Sequence, residues 1–432
     1  MIKPVKLLSL LFGVLLISSC SDDDKEVKPA NEYEIPTEFS ELTTEQSKAK
    51  LEENGLLLVN NMNQLKGSAG IKTAVSFSHF LSLSDLPATE SGRKVTSIQP
   101  LDLLQSLAQF GRGKNSASEV LSGFRMKETD PQTAQELFDS QVGVFAFNST
   151  DETWTFTAAD NGKIVFQFPS TEAGTANNAE FVIYGYTSVQ IQNTEAEYTG
   201  DLPTALKADL TVNGTKQISY SFIASYKNNG EPTAVETSLA INPFTFKFEL
   251  TNNSSEVSAE YSLTNGNQHL ISFGFGGNGN FSSSNINGSG DAGSVLEKAS
   301  AYFQIVNIRF AGEADVKSID ALLADDATAE EEAEAYNAHS TFVVFYADSK
   351  KKIADTEFYG VTESETYCWQ TDINGDGILE EECYTYTDEI IDIRLIFADG
   401  SKADLDTYTD VGFEEVRTEL EKFADELEAD LE

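Results

Sequence analysis

Asp372-Ile373-Asn374-Gly375-Asp376-Gly377 places oxygen-bearing side chains at alternate positions and a glycine at the sixth. That spacing lets a tight loop turn its oxygens inward around a hard cation, and calcium, which takes many oxygen ligands in flexible geometry, is the natural occupant. The same residue types also favour tight turns that hold no ion, so a metal loop and a plain turn are the two readings. Tyr367, Tyr384 and Tyr386 flank the segment and suggest strands, so the loop is expected to close a hairpin. Other chemistry is thinly supplied. His79, His269 and His339 are the only histidines and show no zinc-site spacing. There is no Gly-x-Ser-x-Gly elbow for a serine nucleophile. Gly274-Phe275-Gly276-Gly277-Asn278-Gly279 lacks the Gly-Lys-Ser/Thr that would hold β- and γ-phosphates, and it reads as a mobile β-connection. Paired carboxylates can hydrolyse glycosides, yet with 70 acidic residues any spacing arises by chance.

Over about a dozen residues the loop resembles the DxDxDG calcium loops of EF-hands, dockerins and thrombospondin-type repeats. The resemblance implies side-chain oxygens from Asp372, Asn374 and Asp376, a backbone carbonyl from Ile378 and a ligand from Glu380 at the ninth position. An EF-hand places a bidentate Glu at the twelfth position, where this chain has Cys383, so Glu381 or Glu382 would have to substitute. No flanking helix pair is evident. The expectation is therefore a structural calcium clamp in a hairpin loop.

The first two dozen residues carry an address. Lys3 and Lys6 precede the apolar run Leu7 to Ile17, followed by Ser18-Ser19-Cys20 and the acidic Ser21-Asp22-Asp23-Asp24. The apolar run is too short to span a bilayer as a mature helix. The segment resembles the bacterial lipoprotein signal with its lipobox. This implies cleavage after residue 19, lipidation of Cys20 and a membrane anchor made of acyl chains. The Ser-Asp-Asp-Asp tag resembles the export signal of surface lipoproteins of the Bacteroidota, implying an outer-membrane protein exposed at the cell surface. Cys368 and Cys383 then remain as an even pair in an exported chain, where disulfides persist; the expectation is a bridge, with two buried thiols as the alternative. No cysteine is left over as a nucleophile.

The formal net charge is −41. Such a chain repels polyanions and offers no cationic face for counterion release, which argues against nucleic acid as a partner. Cations, proteins and neutral small molecules remain as ligands, and the charge also serves solubility. Forty per cent apolar content with 28 Phe and 15 Tyr is enough to fold most of the chain.

These elements must be held by a scaffold whose period changes along the chain. Residues 20–40 read as an acidic tether. Residues 41–140 read as mainly helical: Thr43-Thr44-Glu45-Gln46 fits a capping box, with Leu51, Leu58, Met62 and Leu65 following at helical spacing. Further helices are expected over 71–83, 98–110 and 132–140. From 141 to 313 the period is two, with turn pairs at Asn161-Gly162, Asn213-Gly214 and Asn265-Gly266, which predicts a long antiparallel meander. Its single apolar face must be covered by curling into a half-barrel or by packing on the N-terminal helices. Gly274–Gly293 reads as a flexible excursion and Tyr302–Phe310 as one strand. Residues 314–432 read as α+β, with a helix over Val316–Ala338, strands at Phe342–Tyr346 and Ile391–Phe397, and an amphipathic helix from about Asp410. There Phe413, Val416, Leu420, Phe423 and Leu427 form a stripe for docking onto the chain's own domain or coiling with a partner. The fold class is α+β around a curved antiparallel sheet. The functional expectation is a non-enzymatic, calcium-stabilised binding or structural module at the cell surface. Its alternatives are a carrier of an apolar ligand in the curved sheet and a secreted hydrolase using carboxylates.

Overall fold

The computed structural model describes residues 35–83, 134–191, 200–281, 285, 292–323, 327–371, 380–404, 418 and 422. Cys20 with its signal-like segment, the helix expected over 98–110 and, apart from Thr418 and Lys422, the C-terminal helix all lie outside the described residues. Among the described residues, sixteen strands form one open sheet. They are β1 (Gly143–Asn148), β2 (Thr153–Ala158), β3 (Lys163–Phe168), β4 (Ala179–Ile191), β5 (Gly200–Val212), β6 (Thr215–Tyr226), β7 (Pro232–Ile241) and β8 (Phe244–Asn252), then β9 (Glu256–Asn265), β10 (Gln268–Gly279), β11 (Leu296–Ile305), β12 (Ile308–Ala314), β13 (Ser340–Tyr346), β14 (Lys351–Thr371), β15 (Glu380–Phe397) and β16 (Lys402–Asp404). From β3 onward each strand pairs antiparallel with its sequence neighbour, which is the topology that period-two segments joined by tight turns dictate. At the other end β1 lies parallel to β3 and carries β2 on its outer edge.

Local chemistry explains the turns. Between β5 and β6, Asn213 and Gly214 take φ values of 51° and 76°, so both central residues are left-handed, as a type I′ hairpin demands. Two expectations about the strands fail for identifiable reasons. Gly274–Gly279 is no excursion but the second half of β10. A Cβ at Gly277 would lie 2.6 Å from Leu296 Cδ1 and one at Gly279 2.0 Å from the Val295 carbonyl oxygen, so these glycines permit a close approach of β11. Tyr302–Phe310 is not one strand, because the chain reverses at Val306-Asn307 between β11 and β12. Val306 takes φ 50° without a glycine's freedom; it is buried under a helix, and Gln304 donates to its carbonyl at 2.6 Å.

Six helices are described: α1 (Thr44–Lys66), α2 (Ala69–Ser82), α3 (Ala134–Ser140), α4 (Ala292–Val295), α5 (Val316–Leu322) and α6 (Ala329–His339). The expected Thr43–Gln46 capping box opens α1. The single helix expected from Val316 to Ala338 is two, because Thr328 and Glu331 form a second capping box that starts α6 afresh. Helices α1 and α2 cross the strands on one face of the sheet. Leu51 packs with Ile308, Tyr346, Leu395 and Phe397; further on, Leu58, Met62 and Leu65 pack with Ile241, Phe244, Leu263 and Val306. Phe77 and Phe80 of α2 enter an aromatic core with Phe147, Trp154, Phe166 and Phe168, where the Trp154 indole N–H donates to the Phe80 carbonyl at 3.1 Å. The meander thus buries part of its apolar face against helices, leaves Phe275 and Phe303 on that face exposed, and leaves its edges open.

Candidate functional site

The feature that departs most from this covered sheet is the β14–β15 hairpin. Strand β14 meets β13 only between Lys351 and Asp355, and β15 meets β16 only between Arg394 and Ile396. Beyond those points the two strands continue, paired with each other, to Thr371 and Glu380. Helix α6 braces the root. Asn337 accepts from the Phe358 N–H and donates to its carbonyl, both at 2.8 Å, and the Tyr336 and Phe358 rings lie 5.2 Å apart. From Val361 to Thr371 the arm runs on for about 35 Å, at 3.3 Å per residue. Every described side chain from Thr362 to Gln370, and from Cys383 to Glu389, is exposed.

An ion-pair node sits at the root. Arg394 and Lys402 both donate to one Glu357 carboxylate oxygen at 2.6 Å. The hydrogen bond from Arg394, then that from Lys402, hold the Glu357 carboxyl at about 2. Beside it the Tyr359 hydroxyl, with one proton to donate, lies 3.0 Å from a carboxylate oxygen of each of Asp392 and Asp404, and the ring lies under the Arg394 guanidinium; burial, then these two carboxylates, push its phenol up.

Farther out, Cys368 and Cys383 stand directly opposite each other and form a disulfide, with Cα atoms 4.1 Å apart, close to the spacing of a non-hydrogen-bonded antiparallel pair. The same face carries Thr366 opposite Thr385, with hydroxyls 2.9 Å apart, and Ser364 opposite Thr387 at 3.4 Å. The other face carries Tyr367 opposite Tyr384, flanked by Trp369 and Tyr386, and nearer the root Glu363 opposite Asp388. The four rings are 45–59% exposed. The disulfide and hydroxyl ladder fix a register that an isolated two-stranded ribbon holds poorly.

The sequence-derived site residues divide accordingly. Cys368 and Cys383 are brought together. Asp372, Asn374, Asp376 and Ile378 lie outside the described residues, between the two arm strands; Glu380 opens β15 opposite Thr371. Among the described residues no group of three or more His, Cys, Asp or Glu is arranged to hold a metal. His79, His269 and His339 fall in α2, β10 and at the end of α6. The clustering of rings on one face went unread in the sequence, although parity offered the signal: once Cys368 pairs with Cys383, residues 367, 369, 384 and 386 must all face the other way. No described helix is long and apolar enough to cross a membrane, which says nothing of strands. No known protein family, characterised protein or solved structure matches the chain.

Proposed function

We propose that this chain is a cell-surface lipoprotein of an outer membrane, anchored through acyl chains on Cys20, whose sheet carries a calcium-clamped arm and acts as a binding or structural module without catalytic activity. The observation that supports this best is the Cys368–Cys383 disulfide on an exposed ribbon, since disulfides form and persist in oxidising compartments and are rare in the cytosol. The acidic loop residues Asp372, Asn374 and Asp376, with Ile378 and Glu380, supply oxygen ligands suited to calcium, and millimolar extracellular calcium keeps even a weak site filled. The ligand is a protein or a neutral small molecule. The test is metabolic labelling with a palmitate analogue combined with protease shaving of intact cells. Label that disappears in Cys20→Ser and a body released by shaving support the reading. A body protected until the membrane is broken overturns the surface assignment, and label that persists in Cys20→Ser overturns the anchor.

A second reading is favoured by one feature of the sheet. Phe248, Tyr261, Phe273, Phe303 and Phe310 stand opposite one another across β8 to β12; Phe248 is buried, whereas Phe303 and the nearby Phe275 remain 47% and 40% exposed. Such a row offers an apolar ligand a platform. Saturable binding of a fluorescent fatty acid, weakened by Phe303→Ser, would support that use, and binding unaffected by the substitution would remove it.

A further inference from the structure

We infer that the outer face of the β14–β15 arm is a docking surface for an extended, Lys/Arg-bearing segment of a partner protein. The inference rests on the binding-module part of the proposed function and is independent of the lipid anchor.

Three features converge on this partner. The first is aromatic. Tyr367, Trp369, Tyr384 and Tyr386 expose their rings on a single face of a ribbon whose register is locked from behind by the disulfide and the Thr366–Thr385 and Ser364–Thr387 contacts. Tyr and Trp are the residues that concentrate binding energy at interfaces, and a pre-ordered platform avoids the entropy of assembling one. Nothing in the fold requires these rings outside, since no described residue beyond Gly360 of β14 belongs to a hydrophobic cluster.

The second is charge. Glu363 and Asp388 stand directly opposite each other on the ring-bearing face, and no described cation pairs with either. Like charges placed opposite across a ladder are destabilising. At the arm's root the same hairpin satisfies its acids generously, giving Glu357 both Arg394 and Lys402. The acidic pair beside the rings is thus left for a cation from outside, and the negative faces of Tyr and Trp attract that same cation. A chain of net charge −41 attracts basic partners to its surface, and the arm offers them the ring-bearing acidic pair.

The third is backbone. Beyond Gly360 on β14 and Arg394 on β15, each strand has one edge with no described strand beside it. An extended segment can add there as a further strand, its main chain supplying affinity and its alternate side chains reaching the rings and carboxylates. A folded or helical partner would use none of these donors and acceptors.

Trp369 is exposed whereas Trp154 is 2% exposed and hydrogen-bonded in the core, so a change in emission on binding at the arm arises at Trp369 over a constant Trp154 background. The full chain is titrated with an alternating Lys-Thr peptide of about ten residues, and with Glu-Thr and Ser-Thr peptides of equal length, in about 20 mM and about 500 mM salt. Saturable binding of the Lys-Thr peptide with a Trp369 emission change is expected. Tyr367→Ser/Tyr384→Ser is expected to weaken it about tenfold, Glu363→Gln/Asp388→Asn several-fold, with the far-UV spectrum unchanged in both. Affinity that is the same in all three proteins is the diffuse attraction of an acidic surface and overturns the inference. So does equal binding of the Ser-Thr peptide, or tighter binding of a neutral oligosaccharide or of phosphatidylcholine vesicles. Failure here with successful shaving of cells would reject this docking surface while leaving the surface-lipoprotein reading in place.

Discussion

Asn265, at the end of β9, donates through its side-chain amide to the Asn61 side-chain oxygen on α1 at 2.7 Å, across 204 residues of sequence. Seven residues earlier on the helix, Asn54 accepts from the backbone N–H of Asn307, in the β11–β12 turn, at 3.1 Å. Ser47, seven residues earlier again, is buried beside Tyr346 at the end of β13. Seven residues of helix rise about 10.5 Å and two strands span about 9.6 Å, so every second turn of α1 meets every second turn of the meander. The match of these two periods lets one helix lie across the strands along one rim while satisfying the turns beneath it. Each Asn amide group also donates to the carbonyl four residues back, leaving its oxygen for the sheet.

Asn61→Ala removes the acceptor but leaves the Asn265 amide in place, and Asn54→Ala orphans a backbone N–H. Each is expected to lower stability by about 0.5–1.5 kcal/mol, the net worth of one half-buried hydrogen bond. Because the two sites share no partner and lie about 10 Å apart, the double variant is expected to be additive within about 0.5 kcal/mol. Urea unfolding followed by far-UV circular dichroism measures both quantities. Losses near zero would show that apolar packing alone seats the helix.

Much of this arrangement is legible in the chain and some is not, for reasons that particular residues make clear. The capping box at Thr43 and the left-handed pair Asn213-Gly214 are local signals, complete within four residues, and the structure follows them. The turn at Val306 has no local signal: a β-branched residue is held at φ 50° by burial against α1 and by Gln304. Gly274–Gly279 misleads in the opposite sense, because glycine serves there for interstrand contact with Val295 and Leu296, which no window of sequence reveals. The Cys368–Cys383 pairing was countable, but its place far out on a 21-residue strand depends on where β13 stops pairing with β14.

Those two uses of glycine can be separated by substitution. A Cβ on Gly279 would collide with backbone, whereas one on Gly162 meets nothing within 4 Å but sits at φ +66°. Gly279→Asn is therefore expected to cost about 1–3 kcal/mol through overpacking. Gly162→Asn should be nearly neutral, because asparagine tolerates the left-handed region. Thermal unfolding of both variants decides the matter, and equal losses would mean that the β10–β11 approach relaxes freely.

Glu357 gives the root of the arm a defined acid sensitivity. Its carboxyl is lowered from an ordinary 4.5 to about 2 by Arg394 and then Lys402, so the charged form stabilises the fold above about 4.5, and that contribution is lost as pH falls through about 2. Glu357→Gln should consequently unfold at a lower temperature than the parent at about pH 6, with the gap closing between pH 4.5 and 2. A gap that stays constant down to pH 2 would show that the two cations contribute no net stability through this carboxylate.

The disulfide and the proposed calcium loop would both act on the arm, and the arm contributes no described residue beyond Gly360 to the hydrophobic clusters. Opening it should therefore be a local event with its own small free energy, not part of global unfolding. A bridge closing a loop of 15 residues is worth about 3 kcal/mol on the chain-entropy account, and that amount belongs to the ribbon alone. Cys368→Ser/Cys383→Ser is expected to be cut by protease between residues 361 and 390, while the body's melting temperature moves by less than about 2 °C. Calcium binding to the folded loop must stabilise whatever it binds, so in the parent protein calcium should slow that cleavage, and Asp376→Ala should abolish the protection. Limited proteolysis with mass mapping, in calcium and in chelator, reads both effects at the residues concerned. A melting temperature that falls with the staple would mean the arm is packed against the body. Cleavage indifferent to calcium would leave Asp372–Gly377 as a plain turn at the end of a disulfide-stapled hairpin.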